Sequence, residues 1–335
     1  MLRILIVICI GVVVAGLTIY ATTLESSAES RFRVAFFPNV AHAIPVIGME
    51  MGAFEKSVGD QVSLDVRLFD SGPQAIEALF SGSIDMAYVG PGPAINGFLK
   101  STDGSVRIIS GAASGGSSFV IHPDSHITQA SDLHNTRISA PQIGNSQDIS
   151  LRHYLTEHGL VPTERGGSVT VLNIANPDTY TLFVKGEIDA AWVPEPWATI
   201  LVEELGGHRL FYEEELWEDG VFASVVLVAR QQFVEENPEA VSSWLEVHNS
   251  TAHWIGENPA EAREMFNNYV ESELGRAFPD DIIDIALQNI HFTTDTYDTS
   301  IEIFAERADA LGYLGRNGYN LEGLYMNERQ DGPSR

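Results

Sequence analysis

The sequence is poor in the residues on which several chemistries depend. Its 335 residues include one cysteine, Cys9, which excludes an internal disulfide framework, a thiolate zinc cluster or an iron–sulfur centre built by this chain alone. Lysine occurs only at Lys56, Lys100 and Lys185, and 19 basic residues face 46 acidic ones. The resulting formal charge of −27 repels nucleic-acid phosphates and anionic lipid heads, which argues against a nucleic-acid reader. HExxH, CxxC and Walker motifs are absent. The two nearest approaches to a nucleophile elbow, Ala112–Gly116 and Gly115–Phe119, each lack one of the required glycines. His122 and His126 flank Pro123-Asp124 on a loop, so a helical metal pair is not available. The chain therefore does not read as an enzyme, and no cofactor or metal is expected.

What is present begins with an address. Ile4 to Tyr20 is a nearly unbroken apolar run, with Arg3 before it and Glu25 and Glu29 after it. About 17 to 18 apolar residues suffice for a membrane anchor or a signal segment. The flanking charges place the globular part outside the cytoplasm, away from ATP and NADH. Ser26-Ser27-Ala28 offers small residues for cleavage, so cut signal and retained anchor both stand as readings of residues 1–30.

From Arg31 the chain alternates short strands and helices, the order of an α/β protein with two wound, mostly parallel sheets. Expected strands include Phe32–Pro38, Val62–Leu68, Ile84–Val89 and Val106–Ser110, with helices at Ala43–Lys56 and Gly72–Gly82. A second set follows: strands Thr136–Pro141, Ser168–Ile174 and Ile188–Val193, and helices Asp148–Gly159, Asn176–Gly186 and Pro196–Gly206. Ser118–Pro123 and Phe222–Arg230 are β-like and sit where the chain passes between the units. After Gln231 the pattern is helical almost to the end, broken at Asn258-Pro259 and Phe278-Pro279. The expected division is 31–117 with 223–327 as the first lobe, 118–222 as the second and 328–335 as a frayed tail.

The chain also echoes itself. Gly82–Ala94 aligns without gaps on Gly186–Ala198 with six of 13 positions identical, and Tyr88 facing Trp192 keeps an aromatic. At nearly the same offset, Val34–His42 parallels Ile138–Asn145 in its ending. Two similar lobes would each present strand C-termini and helix N-termini at one edge, where open α/β sheets bind ligands.

Those edges carry the candidate residues. Gly72-Pro73, Gly92-Pro93, Ser146, Asn176-Pro177 and Glu195-Pro196 mark helix starts, whose free N–H groups can cradle an anion. Gly72, Gly90, Gly92 and Gly144 allow close approach of a ligand to backbone. Asn39 and His42 follow the first strand and can donate hydrogen bonds to an oxygen-rich ligand or serve as loop caps. Asn145, Ser146 and Gln147 make a polar turn before Asp148. Glu195 either sits favourably at a helix start or fixes an amine or arginine across the cleft. Trp192 and Trp197 are pocket walls or core.

Several blocks in one order carry a resemblance: Pro38-Asn39-Val40-Ala41-His42, Gly48–Phe54, Gly72–Leu79, Ile84–Pro93, Gly144–Asp148 and Trp192-Val193-Pro194-Glu195-Pro196-Trp197. From Arg31 to about Arg230 the chain resembles the extracytoplasmic solute-binding proteins of sulfonate, taurine and nitrate importers, the NMT1-like family. The resemblance implies a two-lobed periplasmic-binding-protein fold of type II. The lobes would be joined near Gly116–Phe119 and Val221–Ser224 and close on a small solute. By the same resemblance Asn39, His42, Gly72, Gly90, Pro91, Asn145, Ser146 and Glu195 face the cleft, with Gln147 and Trp192 beside them. The implied partners are an ABC permease with its ATPase subunits and a membrane reached through the N-terminal segment, the binding protein itself being a monomer. Because no cationic pair stands among the cleft motifs, although Arg152 is near, a sulfonate or taurine-like zwitterion is expected. Nitrate, bicarbonate, a thiamine precursor or a sensor ectodomain are the alternative readings.

Overall fold

Short apolar strands that each hand over to a helix organise the chain around two sheets. The computed structural model describes residues 30–59, 62–101, 105–315 and 318–326. The apolar segment Ile4–Tyr20, Cys9, the cleavage motif and the tail from 328 lie outside these described residues, among which no helix is long and apolar enough to cross a membrane. The chain first lays down β1 (Ser30–Phe36), α1 (Ala43–Glu50), α2 (Ala53–Val58), β2 (Val62–Leu68), α3 (Gly72–Phe80), β3 (Met86–Val89), α4 (Pro91–Lys100) and β4 (Val106–Gly115). It crosses to build β5 (Ser117–Ile121), β6 (Arg137–Ala140), α5 (Ser146–Glu157), β7 (Thr170–Asn173), α6 (Asn176–Val184), β8 (Ala190–Pro194), α7 (Trp197–Glu203) and β9 (His208–Tyr212). It then returns through β10 (Ala223–Arg230), α8 (Gln231–Glu236), α9 (Pro238–Glu257), α10 (Pro259–Leu274), α11 (Asp280–Gln288), β11 (Ile290–Phe292) and α12 (Asp298–Ala310).

The strand orders are β11-β4-β10-β3-β1-β2 and β7-β6-β8-β5-β9. Both sheets are mixed, with most strands of each running in one direction as expected. β1 pairs in parallel with β2 and β3, and β6 with β7 and β8. β10 lies antiparallel between β3 and β4, and β5 antiparallel between β8 and β9. The reason is directional. Strands of the wound units run toward the junction between the lobes, so a strand that enters a lobe from that junction must run away from it. The two β-like crossing stretches of the sequence are these reversed strands. The expected helix Ala43–Lys56 is broken at Gly52, whose φ of 60° is left-handed. β9 and β11 were not anticipated, and a strand of three residues such as β11 is too short to show a periodicity.

The internal echo is a structural repeat at an offset of 104 residues. It superimposes α3 on α6 and β3 on the start of β8. Its shared Gly-x-Ile-Asp explains itself through hydrogen bonds. The Arg33 N–H donates to the Asp85 carboxylate at 3.0 Å, and the Arg137 N–H to Asp189 at 2.7 Å. Each aspartate thus ties the turn before its strand to the neighbouring central strand. In the first lobe the tie is stronger, because Asp85, fully buried, also takes the guanidinium groups of Arg33 and Arg230.

The C-terminal helices complete the first lobe. Trp244 of α9 stacks on Phe54 and Phe32, with ring centroids 3.8 and 4.9 Å apart, closing a core that also holds Phe36, Ile44 and Phe266. Within it His248 accepts from the Tyr88 hydroxyl at 2.9 Å through Nδ1 and donates through Nε2 to the Gly111 carbonyl at 2.8 Å. Both nitrogens are thereby used in the neutral form, and burial lowers the pKa to about 4. The second lobe is smaller, with Phe119, Ile138, Leu151, Leu155 and Trp192 at its centre.

Two expectations follow. Asp85→Ala, which leaves two arginines unpaired, should cost about 3 kcal/mol in urea unfolding, while Asp189→Ala, which removes one backbone acceptor, should cost about 1 kcal/mol. His248 and the buried His42, whose pKa falls to about 3, are neutral in the fold and ordinary when unfolded. Their contribution is complete above pH 6.5 and is lost as the pH falls below it, by up to about 1.4 kcal/mol per unit for each group. His248→Gln should flatten the decline of the urea midpoint between pH 7 and 5 by about one proton's slope.

Candidate functional site

The two crossings make the junction where every candidate residue was expected. At the first, Gly115 and Gly116 are both left-handed, with φ of 77° and 75°, a pair of conformations that side chains resist. A Cβ on Gly116 would also stand 2.5 Å from Ile290. Beside them, between the sheets, lies a cavity of about 50 Å³. It is lined from the first lobe by Phe37, Asn39, His42, Asp70 and Gly90, from the second by Pro141, Asn145, Ser146, Gln147, Asn176 and Pro194, and by the crossing residues Gly115, Gly116, Ser117 and Ser224. Larger grooves exist, including one of about 790 Å³ beside α9, α11 and β11, but it carries none of the candidate residues.

Helix beginnings converge on this cavity. α1 starts after His42, α4 after Gly90, α5 after Asn145, and α6 opens on Asn176. The positive ends of the α1, α4 and α6 dipoles point at the junction, but few N–H groups there are free. Gly92, between Pro91 and Pro93, has the one N–H of the first turn of α4 and gives it to Ser146, the Ala43 N–H is taken by the Val40 carbonyl, and Asp178 stands in the first turn of α6. At α5 the capping is elaborate. The Asn145 carboxamide accepts from the Ser146 N–H at 2.6 Å, and the buried Asp148 reaches back to the Gly144 N–H at 2.9 Å. This fixes the turn that presents Asn145, Ser146 and Gln147.

The lobes touch through that turn. Ser146 Oγ accepts from the Gly92 N–H at 3.3 Å, and Gly90 leaves the room for it, since a Cβ there would lie 2.4 Å from Ser146 Oγ. Ser71 donates to the Gln142 side chain across the same gap. Gln147 donates to Ser117 at 3.1 Å. The lobes are closed on the cavity.

Its chemistry is polar. Among the described residues neither lysine nor arginine lines it, and Asp70 is its one charged side chain. His42 is 2% exposed, and its Nδ1 accepts from the Phe37 N–H at 3.3 Å, which leaves Nε2–H as a donor. Burial holds it neutral at physiological pH. Three buried polar atoms of the lining, Asn39 Oδ1, Asn176 Oδ1 and Ser224 Oγ, have no hydrogen-bond partner. A buried polar atom left unpaired costs about 1–3 kcal/mol, so three around one cavity point to an occupant that satisfies them.

Asn39, His42, Gly90, Asn145, Ser146 and Gln147 are thus brought together, and four other expected cleft residues are not. Gly72 packs on Pro93, 2.3 Å from where its Cβ would stand, and Pro91 is buried in the first turn of α4. Trp192 is buried in the second core and donates to Glu213 at 2.8 Å. Glu195 is fully buried. It accepts from Arg209 at 2.7 Å, from the Thr199 N–H at 3.0 Å and from Asn289 at 2.8 Å, which pins the second lobe to the base of β11. Arg152 is likewise spent on Asp148, Glu164 and Asn173. Asn176 and Ser224 were not singled out as site residues. Asn176 was legible as the partner, 104 residues on, of the helix start at Gly72; Ser224 had no signal beyond its place on a crossing strand.

Comparison with known proteins agrees with this architecture. A binding protein of Brucella abortus strain 2308 is 28% identical over 230 residues, 68% of either chain. The taurine-binding periplasmic protein of Escherichia coli K12 is 29% identical over 191 residues, 57% of this chain and 56% of its own. The alkanesulfonate-binding protein SsuA of Xanthomonas axonopodis pv. citri, solved with MOPS bound, superimposes with a TM-score of 0.71 at 18% identity, covering 86% of this chain and 95% of that one. The nitrate-binding protein NrtA of Synechocystis PCC 6803 also reaches 0.71, at 16% identity, covering 87% and 83%. These structures share the two-lobed fold. The profile of the NMT1-like family matches residues 25–268, nearly three quarters of the sequence, and the chain belongs to that family.

Proposed function

We propose that the chain is the extracytoplasmic solute-binding protein of an ABC importer, capturing a small sulfonate or taurine-like solute by lobe closure and delivering it to a membrane permease. The observation that carries the reading is the closed junction, with its unpartnered polar atoms and its converging helix dipoles. The two kinds of group suit opposite ends of a zwitterion. The helix dipoles, the His42 Nε2–H and the Ser146 hydroxyl favour an oxyanion, Asp70, Asn39 Oδ1 and Asn176 Oδ1 favour an ammonium that brings donors, and the Ser224 hydroxyl serves either. The relatives named for taurine and sulfonates support the same class. In this reading the N-terminal segment exports or tethers the protein, and a permease with its ATPase subunits is its partner. The binding protein acts as a monomer.

A second reading, nitrate or bicarbonate, draws on one observation. By the measure in which about 10–15 Å³ holds one water molecule, a cavity of about 50 Å³ suits a small planar anion. A thermal-shift series with the full-length chain separates the two. Taurine at 100 times its dissociation constant should stabilise by about 2.7 kcal/mol. A shift with nitrate or bicarbonate alone would replace the sulfonate reading by the anion reading, and silence with all of them would discard both.

Substitutions report on the geometry. Asn39→Ala and Asn176→Ala should each weaken taurine binding by about tenfold in calorimetry with little loss of stability, because each removes an atom that is unpaired without ligand. Gly90→Ala should fold, since φ of −71° suits alanine, yet bind at least tenfold more weakly, because the methyl group displaces Ser146 from the Gly92 N–H. Unchanged affinity in all three would remove this cavity as the binding site.

A further inference from the structure

The chain after α12 touches the other lobe at two points. Arg165, in the turn before β7, donates to the Leu311 carbonyl at 2.8 Å. The Tyr313 hydroxyl donates to Asp148 Oδ2 at 2.8 Å. Leu311 and Tyr313 belong to the first lobe, packing in the cluster that contains Phe304 and Ala308. Asp148 belongs to the second and is fully buried.

Asp148 is a shared acceptor. Oδ1 takes Arg152 at 2.7 Å and Asn173 at 2.8 Å, both from its own lobe. Oδ2 takes the Gly144 N–H and the Tyr313 hydroxyl. One oxygen therefore holds the turn that lines the cavity and also the bond that ties the lobes together. Tyr313 lines the same surface groove as Gly144, outside the cavity, so it acts on a solute only through Asp148. The bonds from Gly144, Arg152 and Asn173 lie within one lobe, and those of Tyr313 and Arg165 run between lobes, so movement about the two crossings would break the second kind alone.

We propose that Tyr313 is a positioning residue for solute capture: its hydroxyl latches the C-terminal segment onto Asp148 when the lobes close, stabilising the closed state and the ligand-facing turn 144–147 together. The assignment rests on the solute-binding reading. The latch exists only in the closed form, so its removal shifts the open–closed equilibrium toward open and shortens the residence of the solute, with no slowing of encounter.

The test uses the full-length chain with Cys9→Ser and two spin labels, at Gln74→Cys and Ser131→Cys, one exposed position on each lobe. Tyr313→Phe should move part of the ligand-free distance distribution to longer values. It should also speed taurine dissociation about tenfold without slowing association, which rises only with the open fraction, a hydrogen bond to a charged group being lost in one state only. Arg165→Gln, which removes the second contact and leaves Asp148 alone, should shift both readouts in the same direction and decides the matter if Tyr313→Phe does not fold. Distances and dissociation rates equal to those of the parent would overturn the latch. If the parent binds none of the solutes, the solute reading fails, and the ligand-free distances alone still decide for or against Tyr313.

Discussion

A helix that follows a parallel strand must begin where that strand ends, and in this molecule the strands of both lobes end at one junction. α1 and α4 from the first lobe, α5 and α6 from the second, therefore bring their N-termini to the same small volume. The direction of the strands thus creates a positive potential from backbone alone, in a chain whose formal charge is −27. The reversed strands β5 and β10 follow from the same rule, because each starts at the junction, and so does β11, whose Ile290 pairs with Gly115. The first residues of β5 and β10, and the glycine pair between β4 and β5, form the floor of the cavity.

Charge is handled separately from binding. The buried carboxylates are internal fasteners: Asp85 holds two arginines at the back of the first lobe, Asp148 organises the turn before α5, and Glu195 joins the second lobe to Asn289. The arginines near the junction, Arg152 and Arg209, are committed to these acids. A guanidinium already bonded to a buried carboxylate cannot be withdrawn without leaving that carboxylate unpaired, a cost of several kcal/mol. The cleft is left with neutral donors and acceptors and the carboxylate of Asp70, which act strongly at short range because water is excluded.

Much of this was legible in the sequence. The alternation of strand and helix and the two crossing stretches came from hydrophobic period and punctuation, and the gap-free match of Gly82–Ala94 on Gly186–Ala198 marked the true repeat. Asn39, His42, Asn145 and Ser146 stood out because a polar residue between a strand and a helix start has few other tasks. Glu195 misled for a physical reason. Its position after β8 is correct for a cleft, but Arg209 and Asn289, distant in sequence, turn the carboxylate away from it. Pro91 follows the lining residue Gly90 but is buried in the first turn of α4, and Trp192, two residues before the lining Pro194, is held in the second core by its neighbours there and by Glu213. Ser224 and Tyr313 carry no local pattern at all, because their roles exist only once the lobes meet.

Closure explains why family membership and ligand choice separate so cleanly here. The features that build the junction are backbone features: strand direction, glycines at 115 and 116, and space at Gly90. Strand direction can be kept under wide sequence change, in keeping with a TM-score of 0.71 at 16–18% identity. Discrimination falls to the few side chains that leave a polar atom facing the cavity. Asn39, Asn176 and Ser224 do so with acceptor oxygens, and Asp70 adds a carboxylate. In the proposed reading, an anion without donors can take the Ser224 hydroxyl but leaves the Asn39 and Asn176 oxygens unsatisfied, whereas a solute with an ammonium group satisfies both kinds of atom. The selectivity proposed for the site is thus set by what its acceptors would lose.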